Sequence, residues 1–200
     1  MKRTRVLRAA IAGVVAAQVV AALAGCSPAA PSPSNHPTAA ATEQVAPGDI
    51  PDTQAYVTVK APSGGWSLKV PEGWAQQTVP GGLMFTDKLN AVGAVERSAA
   101  QAPTVASVQT GEVAALRAAH AGVQVVSVAP FTRSGGSGVV VRYTLDSAKD
   151  AVTGKVHRDA AEEYLFAKNG REVAVTVSGA VGADNVDPWK IITDSFRWLR

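Results

Sequence analysis

The sequence is poor in the residues that build disulfides, metal sites and basic surfaces. Its 200 residues include one cysteine and three histidines, so the chain cannot form an internal disulfide or a cysteine cage for a metal. Four of the 19 basic residues precede residue 9, and without them 15 basic groups stand against 16 acidic ones, a net charge of about −1. Because phosphate binding needs a basic excess, we expect no nucleic-acid partner.

Motifs typical of several enzyme classes are missing as well. The sequence contains no HExxH zinc motif, no phosphate-binding GxxxxGK(S/T) loop and no GxGxxG after a strand. The run Gly135-Gly136-Ser137-Gly138 would match a GxSxG nucleophile elbow only with glycine at the next position, where the chain has Val139. A hairpin turn explains the run better. We therefore predict no catalytic residue, no metal site and no cofactor, in a protein that is not an enzyme.

The adjacent Glu162 and Glu163 suggest a carboxylate pair at first sight. Neighbouring residues in a strand point to opposite faces of a sheet, so these two side chains cannot flank one scissile bond. We interpret both as solvated charges on a strand.

The start of the chain looks like a secretory signal. Residues 1–8 are positively charged, and the 15 residues from Ala9 to Leu23 are apolar except for Gln18, which is too short for a comfortable membrane span of about 20 residues. The ending Leu23-Ala24-Gly25-Cys26 resembles the bacterial lipobox. That resemblance implies cleavage before Cys26 and acyl chains on its sulfur and new amino terminus, whereas the alternative is an ordinary signal peptide with a chance cysteine.

The lipobox resemblance and the composition predict three segments. Residues 1–25 are the lipoprotein signal peptide, and residues 26–52 are the lipidated cysteine and a disordered tether that holds six of the 12 prolines. Residues 53–200 have the composition of a globular domain. We expect a protein anchored to the cell membrane through acyl chains on Cys26, on the extracytoplasmic face, with envelope proteins or lipids as partners.

Periodicity predicts mostly strands in this domain. Alternating or β-rich runs predict strands over residues 56–60, 66–70, 83–86, 91–97, 123–132, 139–146, up to 166, and 173–177. Asn169-Gly170 lies between two of them and predicts a type I′ hairpin, whose two central residues need positive φ. Apolar residues recur at helical spacing between Pro103 and His120, which predicts one amphipathic helix ended by Gly122.

A second helix is predicted at the end of the chain. Asp187 suits the N-cap and Pro188 the first helical position. An apolar stripe at spacings of three, four and three should then dock on the sheet, through Trp189, Ile192, Phe196 and Leu199.

Two motifs in this order of elements resemble a known family. Residues 66–74 (WSLKVPEGW) resemble the opening strand and Pro-x-Gly-Trp signature of PsbP/Mog1-like domains, and residues 192–197 (ITDSFR) resemble their closing helix. With the lipobox in front, the chain is similar to actinobacterial LpqN/LpqT-type lipoproteins over about residues 56–200. The resemblance implies an α+β fold, an antiparallel sheet with helices packed on it in an α/β/α sandwich. It further implies a non-enzymatic assembly or binding role, and for the mycobacterial members cell-envelope work with glycolipids and their export machinery.

Two functions from different classes follow from these observations. The first is an interaction or assembly module for an envelope complex, which needs an exposed apolar or charged patch. The second is a carrier or binding protein for envelope glycolipids, lipids or another hydrophobic ligand, which needs a cavity of a few hundred Å³. The small residues of the helix before Gly122 indicate close packing, so we favour the first.

Candidate ligand-binding residues are aromatic. Trp74, Phe85 and Tyr143 would line an apolar cleft for the second function, together with other aromatic side chains of the domain. The alternative is that these side chains belong to the core. Trp74 follows a Pro-Glu-Gly turn and is therefore the one that we expect at an edge.

Overall fold

The computed structural model describes residues 46–150 and 152–199. In these ranges no helix is both long and apolar enough to span a bilayer. The elements are β1 (Tyr56–Lys60), β2 (Trp66–Pro71), β3 (Ala75–Val79), β4 (Gly82–Asp87), β5 (Asn90–Ser98), α1 (Val105–Thr110), α2 (Glu112–Ala119), β6 (Gln124–Arg133), β7 (Gly136–Asp146), β8 (Arg158–Lys168), β9 (Arg171–Ala180), α3 (Val186–Asp194) and β10 (Arg197–Trp198).

Seven strands form one sheet, in the order β3-β4-β5-β9-β8-β7-β6, and every neighbouring pair is antiparallel. β6 to β9 follow one another as hairpins, whereas β5 and β9 are distant in the chain and join the two halves of the sheet. A smaller antiparallel sheet has the order β1-β2-β10. The predicted α+β class with a mainly antiparallel sheet is confirmed.

Each face of the large sheet carries its own core. On one face the small sheet and α3 cover an aromatic cluster in which the rings of Phe166 and Phe196 stack with centroids 4.3 Å apart. On the other face α1 and α2 bury Val108 and Leu116 against apolar side chains of β7 and β8, such as Val141. Helices therefore lie on both faces of the sheet, as the predicted sandwich requires, and the small sheet shares one of the two layers.

The hairpin at Asn169-Gly170 forms as predicted. Asn169 has a φ of 51° and Gly170 a φ of 76°, the two positive values that a type I′ turn demands. The strands on either side run in the tight register that such a turn sets, with Lys168 opposite Arg171.

The helix predicted between Pro103 and His120 is divided in two at Gly111. Thr104 caps α1 by a reciprocal pair of hydrogen bonds with Ser107, and the Thr110 hydroxyl then donates to the carbonyl of Ala106 at 3.1 Å. Such back-bonding and the low helix propensity of glycine weaken the helix at this point. Helical structure ends with Ala119 rather than at Gly122, which lies in the following turn with a φ of 66°.

The closing helix starts two residues earlier than predicted. Asn185, not Asp187, is the N-cap, and Pro188 occupies the third helical position, which tolerates proline because first-turn N–H groups have no acceptor within the helix. The helix ends at Asp194. Trp189 and Ile192 of the predicted apolar stripe therefore lie in the helix, whereas Phe196 and Leu199 follow it. Ile192 and Phe196 are both fully buried.

Two short strands were absent from the sequence-based prediction. β3 is mostly polar and exposed, so it lacks the alternation that marks a half-buried strand. β10 consists of two residues that pair with β2, with Trp198 opposite Trp66. Its place in the small sheet depends on a partner far away in the sequence.

Residues 46–52, the last part of the predicted tether, contact the domain. Ile50 is 4% exposed, and its N–H donates to Oδ1 of Asn185 at 2.8 Å. The Asn185 amide also donates to the carbonyl of Gly48 and to Oδ1 of Asn90. Ordered contacts therefore begin before residue 53, while Cys26, the signal peptide and the tether up to residue 45 lie outside the described residues.

Candidate functional site

A groove separates α2 from the seven-stranded sheet. It consists of two adjoining cavities of about 260 and 220 Å³. Six residues line both cavities and make them one continuous site: Met84, Gly93, Leu116, His120, Glu163 and Thr176.

Small side chains leave this space open. Gly93 and Ala174 lie on the floor that β5 and β9 provide, and Ala115 and Ala119 lie on the helix side. A Cβ at Gly93 would lie 3.1 Å from Cε of Met84, so that side chain rests on the glycine backbone. The small residues of the helix therefore border a groove. They do not produce the close packing that the sequence indicated.

Glu163 is the polar group inside the groove. It is 5% exposed, and on β8 it shares a face with Ala161 and Leu165. Oε1 of Glu163 is buried and has no hydrogen-bond partner among the described residues. A buried oxygen without a partner carries a desolvation penalty that a ligand with a matching donor would relieve.

The interpretation of Glu162 and Glu163 as two solvated charges is therefore wrong for Glu163. The two side chains do point to opposite faces, as predicted. Glu162 is half-buried and accepts a hydrogen bond from Nε of Arg142 at 2.7 Å and another from the Tyr164 hydroxyl.

Three further charged side chains surround Glu163. Nη2 of Arg97 on β5 contacts a carboxylate oxygen of Glu112 at the start of α2 and lies 2.6 Å from Oε1 of Glu172 on β9. Nε of Arg97 donates to the same Glu172 oxygen at 2.7 Å. One arginine thus ties the beginning of α2 to the sheet and is already shared between two carboxylates.

These surroundings change the pKa values of two side chains that line the groove. Burial, followed by the nearby Glu112 carboxylate, raises the pKa of Glu163 to about 8. Burial also raises the pKa of Tyr143, with Glu163 as the next contribution. At neutral pH Glu163 is therefore mainly a neutral acid in a buried setting.

The three aromatic residues predicted to line one cleft do not meet. Phe85 belongs to the core between the two sheets, and Tyr143 lies on the opposite face of the large sheet, where it lines the groove. Trp74 is half-buried at an edge, as expected, and lines a separate cavity of about 390 Å³ beside residues 46–51. Of the predicted ligand-binding residues, only Tyr143 lies at the groove.

Sequence reasoning missed Glu163 although a signal was present. Residues 161, 163 and 165 alternate with Tyr164 and Phe166, so this strand is apolar on both faces, which is typical of a strand buried on both sides. A glutamate in such a strand is expected to be buried.

Among the described residues no group of three His, Cys, Asp or Glu side chains is arranged to hold a metal ion. The groove is therefore mainly apolar with a few convergent polar groups, an arrangement typical of small-molecule sites.

The architecture is that of PsbP/Mog1-like α+β domains, in which helices cover a mainly antiparallel sheet. The structure of cyanobacterial PsbP (CyanoP) from Synechocystis matches with a TM-score of 0.53 at 15% identity, over 76% of this chain and 98% of that one. The Saccharomyces cerevisiae Ran-binding protein Mog1p matches with a TM-score of 0.50 at 8% identity, over 72% of this chain and 96% of that one. The expected PsbP/Mog1-like fold is thereby confirmed.

LpqN, described as involved in cell envelope biogenesis of Mycobacterium tuberculosis, matches with a TM-score of 0.48 at 13% identity, over 74% of this chain and 93% of that one. No protein-family model matches the sequence, and a comparison with curated proteins gives no significant match. Similarity at these identities concerns the fold alone. The more specific resemblance to LpqN/LpqT-type lipoproteins stays a prediction.

Proposed function

We propose that this chain is a non-enzymatic lipoprotein of the cell envelope whose domain binds a small molecule with an apolar body in the groove under α2. The anchor would be Cys26, on the extracytoplasmic face of the cell membrane. The lipobox resemblance supports the anchor, and the groove around Glu163 supports the binding role.

The observation that carries the binding role is the buried carboxyl group of Glu163, whose Oε1 has no hydrogen-bond partner among the described residues, within a groove lined by Met84, Leu116 and Tyr143. Each of the two cavities is small, but because they share six lining residues the groove reaches the few hundred Å³ typical of ligand sites. Apolar contacts would supply affinity, and the carboxyl group would orient the ligand.

An assembly role for an envelope complex has less support from the described surface. Such a role needs a contiguous apolar or charged patch. The exposed large apolar side chains in the described ranges are instead distributed over strands, loops and α3: Val57, Val126, Val152, Val156, Val181, Val186 and Ile191. We therefore place ligand binding before docking.

Binding in the groove is tested by blocking it. We expect at least one of three single-chain probes of equal length (octanol, octylamine and octanoate) to cause saturable NMR shifts at the amides of Gly93, Leu116 and Thr176 in the isotope-labelled full chain carrying Cys26→Ala. Ala115→Trp should remove these shifts because Ala115 lines the groove. Ala114→Trp is the matched control, since it adds the same side chain to the same exposed helix outside both cavities. Shifts that persist in Ala115→Trp, or no saturable response to any probe, would refute the binding role.

The anchor is tested separately. When the chain is expressed in a bacterial host with labelled palmitate, we expect the label on the protein and the protein in the membrane fraction, because two or more acyl chains give stable anchoring. Cys26→Ala should lose the label and leave the membrane fraction. A Cys26→Ala protein that stays bound to membranes to the same extent would contradict lipid anchoring.

A further inference from the structure

We propose that the groove takes a molecule with a protonated amine next to its apolar body, and that the ammonium group pairs with the Glu163 carboxylate. This inference rests on the proposed function, because it names the class of ligand for the same groove.

The charge balance around Glu163 favours a cation. When Glu163 is ionised, Arg97 is the one basic side chain of the described residues that balances its carboxylate and those of Glu112 and Glu172. Arg97 is already shared between Glu112 and Glu172 and makes no hydrogen bond to Glu163 among the described residues. A ligand cation would supply the missing positive charge, whereas a ligand carboxylate or phosphate would add to the excess of negative charge.

The other charged and titratable side chains that line the groove also favour a cationic ligand. Asp159 on β8 lines the cavity that Tyr143 also lines, and its Oδ1 lies 3.1 Å from Nε2 of His157. No lysine lines either cavity in the described part of the chain, and His120 at the end of α2 is the remaining titratable base. Among the described lining residues, Glu163 is therefore a carboxylate that a cationic ligand could pair with, whereas Arg97 is already shared between two carboxylates.

The geometry of hydrogen bonding points the same way. Oε1 of Glu163 is a buried acceptor to which no described residue donates, and an ammonium group brings three donors and no acceptor. Met84 and Leu116 lie on either side of the groove and would contact the apolar part of the ligand.

Proton release should accompany binding. Burial and Glu112 raise the pKa of Glu163 to about 8, so near pH 7 the carboxyl group holds a proton before the ligand arrives. When the ammonium group pairs with it, the O–H bond of Glu163 breaks, the proton passes to the buffer, and the carboxylate keeps the electron pair. A neutral ligand leaves that proton in place.

The experiment compares the same three probes at pH 7, with affinities from NMR titration of the full chain carrying Cys26→Ala. We expect octylamine to bind about tenfold more tightly than octanol and octanoate to bind most weakly, since one buried charge pair is worth roughly this much. Calorimetry in two buffers of different ionisation enthalpy should show close to one proton released per octylamine bound and none for octanol.

Glu163→Gln, which keeps the size of the side chain, should lower octylamine affinity about tenfold, abolish proton release and remove the preference for octylamine over octanol. Glu162→Gln on the opposite face is the control and should keep the preference for octylamine. If octanol or octanoate binds as tightly as octylamine, the amine inference fails and the proposed binding function stands. If none of the three probes binds, both fail.

Discussion

The free energy of unfolding of this domain should decrease as the pH rises from about 5 to 9, and Glu163→Gln should remove most of that decrease. The folded-state pKa of Glu163 is about 8, against an ordinary value of 4.5 for the unfolded chain. Between these two values the folded protein holds a proton that the unfolded chain has released, so raising the pH favours unfolding. The contribution is fully present below pH 4.5 and is lost above pH 8.

The expected size is on the order of 4 kcal/mol, because each unit of pKa difference corresponds to roughly 1.4 kcal/mol. Chemical denaturation at a series of pH values measures it directly. Asp159, whose pKa burial also raises, should leave a smaller decrease at lower pH in Glu163→Gln.

Glu72→Gln serves as the matched control, since Glu72 is exposed and its substitution should leave the pH profile unchanged. A wild-type domain whose stability is constant from pH 5 to 9 would show that the Glu163 carboxyl group is not buried as a neutral acid.

The second large effect is expected at Phe196, which is 0% exposed and follows α3. Its ring stacks on Phe166 at 4.3 Å between centroids and also lies against Trp66 and Trp198. Phe196→Ala should therefore lower the free energy of unfolding by about 4 kcal/mol, from lost burial and the cavity that remains. Urea denaturation provides the measurement.

Ile191→Ala on α3, the helix that precedes Phe196, is the control for Phe196→Ala. Ile191 is 45% exposed, so its truncation should cost much less than that of Phe196. Equal effects of the two substitutions would mean that α3 is not docked through Phe196, and that the core between the two sheets has been assigned incorrectly.

The parts of the fold that were predicted correctly depend mostly on residues close together in the chain. Asn-Gly strongly favours the positive φ that Asn169 and Gly170 adopt here, so the hairpin follows from two neighbouring residues. The start of α3 was misplaced because Asn185, as N-cap, bonds to Ile50, Gly48 and Asn90 instead of its own helix. The sequence of the helix itself does not indicate hydrogen-bond partners so far away in the chain.

The candidate site was harder to predict because a groove forms where the side chains of facing elements are too small to fill the space between them. Phe85 and Tyr143 are both aromatic and both buried, yet strand alternation and sheet order place them on opposite faces. The groove exists because small residues of β5, β9 and α2 face one another. β5 and β9 are distant in the chain and meet by pairing, and α2 packs on β7 and β8.

By itself the sequence determined most of the strands, the type I′ hairpin, the apolar spacing that begins in the last helix and the resemblance to a lipobox, since each depends on residues close together in the chain. The tertiary structure alone decided that Glu163 is the more deeply buried of the two adjacent glutamates. A glutamate in a strand is solvated or buried according to the layer that packs over its face, and α2 covers this one. The same packing leaves its Oε1 without a partner, so the group that best indicates a ligand became visible only in the folded domain.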